Sequence, residues 1–195
     1  DYVSHQSYNA MGMDIADITN NGLEDILVLD MLPEDNESLK KMMTSGDFDK
    51  YQMSTERLGY QPQFVRNTLQ LNMGNGNYSE VGQMAGIHDT HWSWAPLIID
   101  LDNDGLKDVF ITNGFPKNVI DLDYINDLES SEVFGTKEAI YEKQKERLGE
   151  VEEIKLPNYV YHNKGGVKFE KVTQKWGFHQ PSVSNGAAYG DLDND

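Results

Sequence analysis

No cysteine occurs among the 195 residues, so disulfides and thiolate metal sites are excluded and the redox compartment is left open. Basic residues are scarce. Sixteen Lys and Arg stand against thirty-three Asp and Glu, a formal net charge of −17. A phosphate backbone is gripped by clustered Lys and Arg, so this balance speaks against nucleic acid as a partner. Long apolar runs are missing as well. None approaches the roughly 18–20 residues of a transmembrane segment, and no secretory leader opens the chain. The length suffices for one ordinary domain with a real core.

What the chain has in quantity is aspartate. The densest stretch is Asp100-Leu101-Asp102-Asn103-Asp104-Gly105-Leu106-Lys107-Asp108, four alternating carboxylates around one glycine. Oxygen donors at that density suit a hard, flexible cation such as Ca²⁺, which takes about six to eight of them. Without a cation, each close pair of like charges repels by roughly 1–4 kcal/mol near a surface. Gly105 stands where a loop wrapped around an ion must turn sharply. A solvated acidic turn is the plainest rival reading. An EF-hand shares the first six positions but needs an acid at the twelfth, which is Ile111. The flanking Leu97-Ile98-Ile99 and Val109-Phe110-Ile111 are short β-type runs, so the loop is expected to join two strands.

Two segments superimpose without gaps at an offset of 91 residues. Asn67-Thr68-Leu69-Gln70-Leu71-Asn72-Met73-Gly74 matches Asn158-Tyr159-Val160-Tyr161-His162-Asn163-Lys164-Gly165. Tyr78, Val81 and Gly86 fall on Phe169, Val172 and Gly177, and Asp100, Asp102 and Asp104 fall on Asp191, Asp193 and Asp195. An earlier loop, Asp17-Ile18-Thr19-Asn20-Asn21-Gly22-Leu23-Glu24-Asp25, precedes the Asp100 loop by 83 residues. A fixed period marks stacked supersecondary units, none able to bury its apolar faces alone. The chain stops at Asp195, at the fifth position of a third loop, so both ends are expected to be cuts in a longer protein.

Strand patterning gives four strands per unit. Residues 11–17 with 25–31, then 67–72 with 77–81, form two hairpins in the first unit. Residues 95–100 with 108–113, then 158–163 with 167–173, form two in the second. Gly74-Asn75-Gly76 and Lys164-Gly165-Gly166 are the expected turns. Between the hairpins lie polar insertions with helical character at 39–45, 47–58, 123–128 and 137–148, where Gly149 is a stop signal. These are expected to decorate a rim.

The pattern N-x-x-x-x-N-x-G, then an aromatic and E/K-V, then A-x-x-D-x-D-N-D-G-x-x-D, resembles the FG-GAP/VCBS repeats of integrin-α-like β-propellers. Residues 86–114 and 156–195 are most similar to large bacterial proteins related to cartilage acidic protein and UnbV. The resemblance implies an all-β fold of four-stranded antiparallel propeller blades with helical insertions, part of a larger propeller. It divides the chain into a blade at 1–93 (insertion about 33–64), a blade at 94–184 (insertion about 115–156) and the truncated start of a third at 185–195. It also implies Ca²⁺ ligands at loop positions one, three, five and nine, with a backbone carbonyl at seven. Those are Asp100, Asp102, Asp104 and Asp108 with Leu106, and Asp17, Thr19, Asn21 and Asp25 with Leu23. Asp191, Asp193 and Asp195 begin the third set. Thr19 and Asn21 depart from the pattern by carrying no charge, so the first loop is expected to bind more weakly.

By the same resemblance the protein is a non-enzymatic, calcium-stabilised module, extracellular or on the bacterial outer-membrane surface. It would bind a protein or glycan ligand, or other subunits of an outer-membrane complex. The alternative is a polysaccharide-acting enzyme with its site in the insertions or in missing chain, using Asp47, Asp49, Asp121 and Asp123 as carboxylates. Other chemistry is thin. His88 and His91 form an H-x-x-H pair without the H-E-x-x-H glutamate of a zinc protease, and are expected to make local hydrogen bonds. Trp92, Trp94 and Trp176 are expected in the core between blades rather than stacked on a sugar. Ser93 and Ser184 recur at the 91-residue offset, but no histidine base recurs with them.

Overall fold

The computed structural model describes residues 2–42, 48–119, 121–131, 136–151, 153–190 and 192. The strands are β1 (Gln6–Ser7), β2 (Gly12–Ala16), β3 (Asp25–Leu29), β4 (Gln63–Phe64), β5 (Thr68–Asn72) and β6 (Tyr78–Glu80). They continue as β7 (Ser93–Ile99), β8 (Asp108–Asn113), β9 (Leu156–Pro157), β10 (Tyr159–Asn163), β11 (Phe169–Lys171) and β12 (Pro181–Ser182). The helices are α1 (Asn36–Lys41), α2 (Phe48–Gln52), α3 (Gly82–Ala85), α4 (Leu122–Ser131) and α5 (Lys137–Glu150). Two four-stranded antiparallel sheets carry the fold, in the orders β2-β3-β5-β6 and β7-β8-β10-β11. The eight strands expected from patterning are all present, each within about two residues of its expected ends. Two small pairs, β1 with β4 and β9 with β12, were not expected.

Both acidic loops close antiparallel hairpins, with Ala16 opposite Asp25 and Ile99 opposite Asp108. The two sheets share one core. Leu27, Leu29 and Leu69 from the first meet Ile98, Val109, Ile111, Tyr159 and Tyr161 from the second, joined by Ile18 and Ile87. Each fully buried side chain of this size contributes about 1.5–3 kcal/mol. The sheets touch through their leading strands, where Asp14 Oδ2 accepts from Ile98 N at 2.7 Å. A Cβ on Gly12 would lie 2.0 Å from the Trp94 carbonyl oxygen, so only glycine lets β2 pass that close to β7. Of the apolar residues expected inside, Ile98, Val160 and Val172 are buried. Phe110 is half-buried, edge-on to the partly exposed Phe178 at 5.5 Å.

The insertions connect the second strand of each sheet to the third, so antiparallel geometry puts them at the end opposite the acidic loops. Asp35 caps α1, accepting from Ser38 N at 2.8 Å, and Thr136 caps α5. After α2 the helix widens to a π-turn over Met53–Arg57, where the Ser54 and Thr55 hydroxyls both donate to the Tyr51 carbonyl. The first helix starts three residues earlier than expected, and residues 43–47 lie outside the described set. Gly149 does not stop α5. The chain leaves instead through Val151 in an extended conformation, so no left-handed residue is needed. Glu34, at the stem of the first insertion, reaches the second sheet, accepting from Lys171 Nζ at 2.5 Å and from the Tyr159 hydroxyl at 3.1 Å. Among the described residues no helix is long and apolar enough to cross a membrane.

Candidate metal-binding loops

The two loops repeat one hydrogen-bond network, bond for bond. In the first, Asp17 accepts from the backbone of Asn21 at 3.0 Å and Gly22 at 2.7 Å. In the second, Asp100 accepts from Asp104 at 3.1 Å and Gly105 at 2.8 Å. Position five accepts from position seven in both, Asn21 from Leu23 N and Asp104 from Leu106 N, each at 2.8 Å. Left-handed backbone recurs at Asn20 and Gly22, and at Asn103 and Gly105. The sequence sets this shape because asparagine and glycine stand where φ must be positive, and aspartate stands where loose N–H groups need an acceptor. The Asp17 carboxyl is held below its usual range. Desolvation, the largest single influence, pushes it up, but the Gly22 and Asn21 amides and the Lys107 charge together outweigh it.

Position nine has a backbone role that the sequence does not show. Asp25 and Asp108 are fully buried. Asp25 accepts from Ile18 N at 3.0 Å and from Asn72 N at 2.8 Å. Asp108 accepts from Leu101 N at 3.1 Å and from Asn163 N at 2.8 Å. Each therefore clamps its loop to the third strand of its sheet. The asparagines of the N-x-x-x-x-N-x-G motif complete the clamp. Asn72 accepts from Gly74 N, and Asn163 from Gly165 N, so each also shapes the next turn. Asn67 and Asn158 act at the other end, accepting from Asp30 N and Asn113 N at the close of the second strand. The N-x-x-x-x-N-x-G pattern shows the asparagines in sequence but not this role, because Asp25 and Asn72 stand 47 positions apart whereas Asp108 and Asn163 stand 55 apart, so no single offset pairs them.

The loops also touch each other. Asn20 Nδ2 donates to the Gly105 carbonyl at 2.7 Å, and Asn163 Nδ2 donates to the Ile18 carbonyl at 3.0 Å. Within the second sheet one contact was invisible from sequence: His162, nine-tenths buried, places Nδ1 3.1 Å from Asp108 Oδ1 and 3.7 Å from Asp102 Oδ2.

The donor set suits a cation. One oxygen each of Asp100, Asp102 and Asp108 lie within 4.8 Å of one another, and so do single donor atoms of Asp102, Asp104 and His162. In the first loop Thr19 Oγ1, at position three, is shut from solvent and has no hydrogen-bond partner among the described residues. Asp100, Asp102, Asp104 and Asp108 would hold Ca²⁺ in the second loop, and Asp17, Thr19, Asn21 and Asp25 in the first. Asp191, Asp193 and Asp195 lie outside the described residues.

The remaining candidates lie outside the two loops. Contrary to expectation His88 Nδ1 makes no hydrogen bond among the described residues, lying 3.6 Å from Asp89, while His91 Nε2 lies 3.4 Å from Asp35, so the two histidines face different carboxylates. Burial holds the His91 imidazole below its usual value against those acids. Buried Ser93 bonds the Thr90 hydroxyl and carbonyl at 2.7 and 2.6 Å, and Ser184 bonds the Ser182 hydroxyl and Asn158. Among the described residues, both serines thus bond neighbouring hydroxyls, a carbonyl or an amide. Trp92 stacks on Phe115 at 3.9 Å, and Trp176 packs beside His162 at 5.2 Å. Asp121 accepts from Asp123 N at 2.8 Å where α4 begins, and Asp49 sits in the first turn of α2. Asp47 is outside the described residues.

Residues 59–111 match the family model of an FG-GAP-like repeat. The matched stretch runs from before β5 through the Asp100 loop into β8, so the FG-GAP-like repeat starts in one sheet and finishes in the next. Such a repeat, with antiparallel four-stranded sheets, supports a propeller-type module. Neither the curated proteins nor the solved structures gave a match.

Proposed function

We propose that the protein is a calcium-binding β-propeller module of a secreted or cell-surface bacterial protein. Its rims present loops and insertions to a protein or glycan partner, or to subunits of an outer-membrane complex. One observation carries this reading: the same hydrogen-bond network holds a carboxylate-rich loop at the same end of both sheets. The sheets then correspond to blades at 1–93 and 94–184, with 185–195 opening a third.

The ion's part is stability. It joins segments whose carboxylates otherwise repel, and its binding energy adds to folding energy. A loop of this extracellular type binds at about 10⁻⁴–10⁻³ M, far above cytosolic free calcium, so it fills only outside the cytosol. Calorimetric titration with Ca²⁺ tests the reading. The expected result is two sites, the tighter abolished by Asp100→Ala and the weaker by Asp17→Ala. A wild-type protein that takes up no calcium at several millimolar, or variants that reverse the order, refutes it.

A further inference from the structure

At the end opposite the acidic loops the two units part company. At the 83-residue offset Asn9 and Asp30 correspond to Trp92 and Asn113. In the first unit this pair closes on itself. Asp30 accepts from Asn9 N at 2.9 Å, from Asn9 Nδ2 at 3.3 Å and from Ser7 Oγ at 2.6 Å. In the second unit the counterparts stay open. Asn113, only 2% exposed, donates from Nδ2 to the Pro157 carbonyl at 3.3 Å, which leaves Oδ1 without a partner among the described residues. Trp92 Nε1 likewise has no acceptor among them. Buried polar groups are rarely left unpaired, so a donor and an acceptor free in one place call for a ligand that supplies both partners.

Both residues line one hollow, where Met31 of the first insertion meets Phe115, Ile154 and Leu156 of the second. Its volume is about 40 Å³, room for two or three waters or for one group of that size. In a chain of net charge −17, no Asp, Glu, Lys or Arg is among the described residues that line it. His91 also lines it, and burial holds the imidazole below its usual value, so it too is uncharged at neutral pH. A charged ligand group would find no counter-charge there.

We infer that this hollow binds the acetamido group of an N-acetylated amino sugar. The group is neutral and matches the room available. Its carbonyl accepts from Trp92 Nε1, its N–H donates to Asn113 Oδ1, and its methyl meets the apolar lining. Ser38, Asn118 and Ser182 complete the polar lining and suit the hydroxyls of the ring that carries the group. An acetylated lysine carries the same group on an apolar stem, which offers those three residues nothing, and the ends of a peptide are charged. The inference rests on the glycan reading of the proposed function and names the group recognised.

The test adds N-acetylglucosamine to the wild type and follows the Trp92 indole N–H by ¹⁵N NMR, assigned by its loss in Trp92→Phe. Phenylalanine keeps a ring against Phe115 and removes the donor, and circular dichroism confirms that the variant folds. A saturable shift of the Trp92 signal is expected, with glucose, which lacks the acetamido group, at least about tenfold weaker. Trp92→Phe should weaken the sugar by about fivefold to tenfold in calorimetry. A Trp92 signal untouched by the sugar, glucose binding as tightly, or full affinity in Trp92→Phe overturns the inference. So does an N-acetyl-lysine peptide that binds more tightly than the sugar. A Ca²⁺ titration of the same sample separates the two readings: calcium uptake without a sugar response strikes this inference alone, and a sugar response without calcium uptake strikes the calcium sites alone.

Discussion

Asp25→Ala is the substitution with the most to say about these loops. The carboxylate is fully buried and accepts from two backbone amides, Ile18 N at 3.0 Å and Asn72 N at 2.8 Å. Alanine leaves both amides without that acceptor, the Ile18 amide in a buried position and the Asn72 amide in a part-buried one. Each unsatisfied buried donor costs about 1–3 kcal/mol, so the loss should come to roughly 3–5 kcal/mol. Asp102→Ala removes an exposed carboxylate with no backbone bond, and should cost less than about 0.5 kcal/mol. Urea unfolding in a calcium chelator separates the two, read from the midpoint at constant slope. Chelation matters because it removes any metal contribution and leaves only the clamp. Should Asp25→Ala prove no more destabilising than Asp102→Ala under those conditions, the clamp is not what holds the loop to the third strand.

Glu34 gives a pH signature. Its burial pushes the carboxyl up, but the Lys171 ammonium and the Tyr159 hydroxyl outweigh that and hold it below its usual value. A depressed folded value means stability that is present above about pH 4.5, the unfolded value, and lost as pH falls through the folded one. Because the side chain is 46% exposed, the effect should stay under about 1 kcal/mol. Glu34→Gln should therefore lower the urea midpoint more at pH 7 than at pH 3, and an equal difference at both pH values would count against the ion pair. Surface location is checked by protease treatment of intact cells, where cleavage well ahead of a cytosolic marker is expected and equal protection would contradict export.

Strand content was legible in the chain because alternating apolar residues and a gap-free repeat both point to antiparallel pairs. The acidic hairpins at Asp17 and Asp100 were placed correctly on that basis alone. Helix ends were harder, since caps decide them: Asp35 starts α1 earlier than its apolar pattern does, and extended Val151 ends α5 past Gly149. At the loops, spacing showed which residues gather but not how their oxygens divide. Burial of Asp25 and Asp108 depends on the third strand passing behind the hairpin. The approach of His162 to Asp102 joins residues 60 positions apart, which no local pattern records.

The position of the insertions has a consequence for how this architecture tolerates change. From Asp25 to Asn67 the chain runs 42 positions, and from Asp108 to Asn158 it runs 50. The eight-residue difference accounts for the whole gap between the two offsets, 83 and 91. The chain length between the second and third strands therefore varies while the hairpins on either side keep their register. Lengthening a connection costs little entropy, about 0.6 kcal/mol for each doubling. This end of each sheet is thus a permissive port, where an engineer could graft a foreign helix or epitope without disturbing the carboxylate loops opposite.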